Sequence, residues 1–190
     1  MTMTIHWVDL HDDLTYDGSQ LSHEWVLRHT GSDHAIVTFE GPCCVDKRFM
    51  VDFEDLKNGC RIQSDRMLHF VIKHKGFPLP FIVLAQRLFM TMIKELLEDF
   101  ANLSVARRGD DLFIKEGKLS ISVATAAENN SVGLIHAALN TTREGTPPEV
   151  RTASLSDLPV DVNIFKKRLV EMYTHEFNDI FHAAGKVRHV

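Results

Sequence analysis

From Phe81 to about Asn102 the chain carries one broad apolar helical face. Phe81, Ala85, Leu88, Met92, Leu96 and Phe100 recur at helical spacing, and Phe89, Ile93 and Leu97 widen the stripe. A helix this apolar needs a large surface to cover it, and the segments around it supply one. Asp111–Lys115 and Lys118–Ala124 flank Glu116-Gly117, the pattern of a hairpin with glycine where positive φ is wanted. A polar loop holding Asn129 and Asn130 then leads to an apolar strand, Gly133–Thr141. Upstream, His34–Phe39 reads as a strand closed by Gly41-Pro42. Leu68, Phe70 and Ile72 alternate with His69, Val71 and Lys73, as in a half-buried strand. Leu21, Trp25 and Arg28 share the face of an earlier helix that Asp17 or Ser19 can cap and Gly31 can end. Asp161 can cap a last helix, along which Phe165, Leu169, Met172, Glu176 and Ile180 align, and Pro147-Pro148 before it is a loop. The fold class expected is α+β, a mixed, mostly antiparallel sheet with helices at about 19–30, 80–102 and 161–184.

Nothing in the chain divides this pattern, so its 190 residues read as a single domain. With 44% apolar and 25% charged residues it is neither a disordered chain nor a disulfide-stapled miniprotein. The formal charge is −5 with no basic stripe, and the candidate sheet face has no aromatic platform; nucleic acid is therefore not an expected partner. No charged-then-apolar leader precedes Asp9. The longest apolar run, Phe81–Ala85, is far short of the roughly 18 residues of a membrane span. Cys43, Cys44 and Cys60 cannot all pair. These features together predict a reduced, cytoplasmic protein without a membrane segment. The apolar circumference of the 80–102 helix exceeds what one sheet face covers, which predicts a homo-oligomer, a dimer in the simplest case.

A period of two places Lys118, Ser120 and Ser122 on one strand face, with His136 and Asn140 on the matching face of the neighbour. That face is either a solvated sheet surface or the wall of a small-molecule pocket. Metal chemistry has little to build on: His69 and His74 fall on opposite strand faces, and there is no HxxxH, CxxC or HExxH. Cys43 or Cys44, beside Pro42, is either a nucleophile or a small buried hydrophobe. The sequence holds no GxSxG, GxxxxGK[ST] or GxGxxG, which removes hydrolase-elbow, P-loop and Rossmann chemistry.

From about Phe81 to Leu158 the chain resembles the catalytic core of biotin and lipoate protein ligases. The resemblance lies in Arg87 of the long helix, Asp111-Leu112-Phe113-Ile114, Gly117-Lys118-Leu119 and His136-Ala137-Ala138-Leu139-Asn140. Over nearly its whole length it is similar to a prokaryotic domain-of-unknown-function family, number 366. The segments concerned are Tyr16–Leu21, Gly41-Pro42-Cys43, Met67–Phe70, Gly109–Leu112 and Lys118–Ser122. That family is similar in fold to the biotin ligase and class II aminoacyl-tRNA synthetase group.

The resemblance implies a ligase- or acyltransferase-like enzyme taking a small carboxylate or nucleotide-type ligand, with ATP as the implied co-substrate. In it Lys118 would be the catalytic residue, stabilising developing negative charge. Arg87 and Arg28 would clamp a carboxylate or phosphate, and Asp17, Gln20, Ser120, Ser122, His136 and Asn140 would complete the ligand site. Two departures limit this. The ligases' Arg/Gly-rich phosphate loop has no counterpart between Gly31 and Lys57, and no cysteine lies beyond Cys60 to serve the octanoyl-transferase mechanism. A non-catalytic binding or assembly module that kept the fold is the alternative.

Overall fold

The computed structural model describes residues 3–11, 14–127, 129 and 131–188; of the expected loop pair, Asn130 lies outside them. In chain order the elements are β1 (His6–Asp9), α1 (His23–Thr30), β2 (His34–Cys44), α2 (Phe53–Asn58), β3 (Gln63–Lys75), α3 (Leu79–Ala101), β4 (Val105–Arg108), β5 (Asp111–Ile114), β6 (Gly117–Lys118), β7 (Ser120–Ala127), β8 (Val132–Asn140) and α4 (Val162–Gly185). The main sheet has the order β1-β2-β3-β8-β7, and β4-β5-β6 form a small second sheet. β1 runs parallel to β2, while the pairings from β2 through β3 and β8 to β7 are antiparallel. The α+β, mostly antiparallel architecture is as the sequence pattern predicts.

Both faces of the sheet are covered. Ile36, Leu68, Phe70, Ile72, Ile135 and Leu139 pack against α3 and α4. On the other side Val37, Phe39, Val71, Leu134 and Ala138 meet Val26 of α1 and Tyr16. β3 lies at the centre and is buried on both faces, so Met67–His74 is buried throughout, polar residues included, and is not a half-buried strand.

α3 is the element the sequence marked best. Pro80 sits in its first turn, where no N–H is needed, and Asn102 ends it in the left-handed region at φ 46°. α4 covers its outer side through Phe165, Leu169, Tyr173 and Phe177. The buried row thus runs through Tyr173 and Phe177, not Met172, Glu176 and Ile180. The i, i+4 ridge wins because its rings meet Phe89 and His74, with Phe177 stacked on His74 at 4.1 Å. With α4 in place Leu84, 67% exposed, is the one α3 residue among the large exposed hydrophobics. The width of the helix face is therefore no longer an argument for self-association.

Asp161 caps α4, its carboxylate accepting from the N–H groups of Asn163 and Ile164. Asp161→Ala should lower stability by about 1 kcal/mol, seen as a shifted urea midpoint at unchanged slope.

Three local expectations fail for identifiable reasons. α1 begins at His23 with Ser22 as its cap, because Asp17 closes a tight turn by accepting from the N–H and hydroxyl of Ser19. β2 continues through Gly41-Pro42 to Cys44, since a register shift between Gly41 and Cys43 accommodates the proline. Positive φ in the β5–β6 turn falls on Lys115, at 57°, and not on Gly117. Gly117 is required for closeness, because a Cβ there would lie 2.9 Å from the Ala153 nitrogen. Among the described residues no helix is long and apolar enough to cross a membrane.

Candidate functional site

A cavity of about 370 Å³ opens on the α1 side of the sheet, where β7 and β8 end beside the small sheet. Its floor is His136 and Asn140 of β8, Met67 of β3 and Ile121 and Val123 of β7. One wall is the β2–β3 connection, contributing Phe49, Val51, Asp52, Asp55, Cys60 and Arg61. Asp110, Asp111 and Lys118 form the opposite wall, and the loop at Thr146, Pro147, Val150 and Thr152 closes the end.

The expected common face of Lys118, Ser120, Ser122, His136 and Asn140 does not form. Register pairs Ser120 with Leu139 and Ser122 with Ala137, which places both serines on the helix side of the sheet. Ser120 Oγ accepts from the Leu112 N–H, and Ser122 Oγ bonds the Asp110 carboxylate and accepts from Gln86. Ile121 and Val123 take the positions opposite Ala138 and His136. The cause is a break at Leu119. This residue leaves the small sheet, is fully buried among the α3 side chains and shifts the alternation between Lys118 and Ser120. Simple alternation cannot cross such a break. Both serines still reach the cavity wall along β7, the edge strand.

Lys118 does stand on the cavity wall, its side chain one-third exposed and its ammonium 3.0 Å from the Asp111 carboxylate. Of the other expected ligand-binding residues, His136 and Asn140 join it. Four do not. Arg28 is exposed on α1. Arg87 projects from α3 to Asp110 at 3.3 Å, behind the wall. Asp17 holds its turn at Ser19, and Gln20 is spent on the Thr15 carbonyl and the Asp17 N–H.

Beneath the floor, Tyr16, His136 and His69 form a stacked group that the sequence did not reveal. The ring of Tyr16 lies 3.6 Å from that of His136, nearly parallel. His69 Nε2 lies 3.2 Å from the Gly41 carbonyl, which can only accept, so that nitrogen carries the proton. Burial holds His69 down to about 4 and His136 well below the usual histidine range, so both rings are neutral. His69 Nδ1 is then a bare acceptor and takes the proton of His136 Nε2 at 3.1 Å. His136 Nδ1 is left as an acceptor with no hydrogen-bond partner among the described residues. The sequence signal missed was Tyr16, which reaches the floor because its backbone pairs with Pro42 and Cys44.

The cysteines offer no activated nucleophile here. Burial pushes the Cys43 thiol up to about 12. Desolvation, together with the hydrogen bond to Asp55, raises that of Cys60. The lining carries four aspartates, Asp52, Asp55, Asp110 and Asp111, against two cations, Arg61 and Lys118. Both cations are ion-paired, Arg61 with Glu149 at 3.7 Å and Lys118 with Asp111. The residues present do not fit a bare triphosphate, which needs several free cations or backbone donors.

Comparison with solved structures supports the same fold. A protein of unknown function from Pyrococcus horikoshi is 30% identical, with a TM-score of 0.92 over 98% of this chain and 100% of that one. A T. acidophilum protein described as a candidate lipoate protein ligase, solved with bound lipoic acid, gives 0.61 at 14% identity over 91% and 86% of the two chains. The biotin protein ligase of Aquifex aeolicus, in complex with biotin and ATP, gives 0.59 at 13% identity over 92% and 72%. At such identities the ligases establish the fold alone. The chain itself belongs to the family described as Domain of unknown function (DUF366), whose model matches residues 5–188.

Proposed function

We propose that the cavity binds a small organic carboxylate through Lys118, and that the protein is a ligase- or acyltransferase-like enzyme acting on it. The observation that supports this is the placement of Lys118 on the wall of a partly apolar cavity, beside the buried polar groups His136 and Asn140. An ammonium has three donors, so the pairing with Asp111 leaves capacity for a ligand carboxylate. The cavity volume of about 370 Å³ suits a compact ligand. Ligase-fold neighbours solved with bound lipoic acid or biotin agree with a carboxylate ligand on this fold. One observation favours the non-catalytic alternative: the acidic lining offers a triphosphate no free cation, so ATP use is not part of the reading.

Lys118→Ala should abolish the rise in melting temperature given by the best-binding member of a panel of short-chain carboxylates. It should cost under about 1 kcal/mol of stability, because the Lys118–Asp111 pair is partly solvated. An unchanged ligand-induced shift in the variant would remove Lys118 from the site. An activated thioester of the best-binding carboxylate separates enzyme from module: thioester loss that Lys118→Ala abolishes supports the enzyme, and none supports the module.

We place this activity in the cytoplasm, a reading supported by three free cysteines, one buried and two exposed. We also retain the homodimer, now on the exposed apolar residues Phe53, at 84%, and Leu56, at 42%, of α2. Light scattering that returns a 21.6 kDa particle at micromolar concentration would reject the dimer.

A further inference from the structure

We infer that the ligand of this cavity carries a protonated amine as well as a carboxylate, the amine being held by His136, at the other end of the floor from Lys118 and Asn140. The inference rests on the carboxylate reading above and adds a second pole to it. Its basis is the direction of the hydrogen bonds the floor can still make. Both residues are more than nine-tenths buried, at 6% and 2% exposure, and both line the cavity. Asn140 Nδ2 donates to the Lys118 carbonyl at 3.4 Å, which turns its Oδ1 toward the remaining space as an acceptor. His136 Nδ1 is also an acceptor, because the chain of donors through His69 to Gly41 fixes the tautomer. Among the described residues neither acceptor atom has a hydrogen-bond partner.

Buried acceptors left unmatched are costly, so a ligand that fills this floor should bring donors. The charge of the walls points the same way: Asp110 and Asp111 are paired with Arg87 and Lys118, while Asp52 and Asp55 have no salt bridge among the described residues. A positive ligand group is stabilised there, and a second negative one is not. His136 and Asn140 are four residues apart on β8, or about 13 Å by strand rise, with the small Ala138 between them on the same face. Asn140 adjoins Lys118, so it is an amine at His136 that leaves Lys118 available to the carboxylate end of a linear molecule.

The experiment is calorimetric titration of the intact protein with matched probes: hexanoate and 6-aminohexanoate, octanoate and 8-aminooctanoate, and octylamine. At one chain length at least, the amino acid should bind about tenfold or more tightly than the plain carboxylate. His136→Phe should reduce that ratio below about threefold, while Asn140→Leu, beside Lys118, should leave it standing. Lys118→Ala should weaken both members of a pair and leave the ratio standing. Equal affinity within every pair overturns the amine pole while leaving the carboxylate reading intact. Octylamine binding as tightly as 8-aminooctanoate, with Lys118→Ala silent, overturns the carboxylate and keeps the amine. Failure of all five probes overturns both. The wild-type ratios decide the matter even where a variant does not fold.

Discussion

Between pH 7 and pH 5 the protein should lose at least about 4 kcal/mol of stability. Two histidines set this figure. His69 and His74 are fully buried, and burial holds them down to about 4 and about 3 respectively. His74 Nε2 meets the Tyr173 hydroxyl at 2.8 Å, and its ring lies flat on Phe177, leaving no water to solvate a charge. In the unfolded chain both titrate near the ordinary value of about 6.5. Below that pH the unfolded state binds protons that the folded state refuses. The stability is thus complete above about 6.5 and falls with pH, by about 2 kcal/mol for each group at pH 5. His136 is held down in the same direction and takes up its own proton once unfolded, so it adds to this loss and the figure from His69 and His74 is a lower bound. A loss of this size is a large fraction of a normal stability of about 5–15 kcal/mol, so unfolding should follow at modest acidity. Urea midpoints at pH 7, 6 and 5 test it. His74→Phe, which keeps the stack on Phe177, should remove about 2 kcal/mol of the loss at pH 5. A midpoint that does not move over this range would refute the account.

How far the sequence revealed the fold depended on whether a pattern was local. α3 was legible because its apolar face, proline start and asparagine end all lie within one segment. The same holds for Asp161 and α4, whose cap stands next to the helix it caps. Lys118, His136 and Asn140, which line the cavity, could be singled out because they lie beside recognisable strand patterns and a family resemblance. The errors share another cause, which is that a distant contact overrode a local rule. Ser120 and Ser122 changed face because Leu119 interrupts the strand to fill the core beneath α3. Tyr16 could not be placed from sequence, since its position depends on pairing with Pro42 and Cys44 across the chain. Arg87 was placed in the site by resemblance, and Asp110 draws it elsewhere.

Replacing Asp9 with alanine should destabilise the protein by about 3 kcal/mol, while Lys166→Met should cost only about 1. The asymmetry follows from which charge is left behind. Lys166 lies in the second turn of α4, 5% exposed, with its ammonium 2.7 Å from Asp9 Oδ2. The other carboxylate oxygen accepts from the Thr38 hydroxyl at 2.7 Å, and the Trp7 indole N–H donates to that hydroxyl at 2.9 Å. The network fastens α4 to β1 and β2. Without Asp9 the ammonium has no anion within that packed surface, and Thr38 loses its acceptor. A buried unpaired charge is the costly outcome. Without Lys166 the Asp9 carboxylate, whose side chain is 20% exposed, keeps Thr38 and can take up water, while methionine fills the volume of the stem. The double variant should be no less stable than Asp9→Ala alone, because the charge that made the single change expensive is gone. Denaturant titrations of the two single variants and the double variant complete the cycle. An Asp9→Ala loss below about 1 kcal/mol, or additive losses in the double variant, would show that the pair is solvated and that apolar packing alone holds α4 in place.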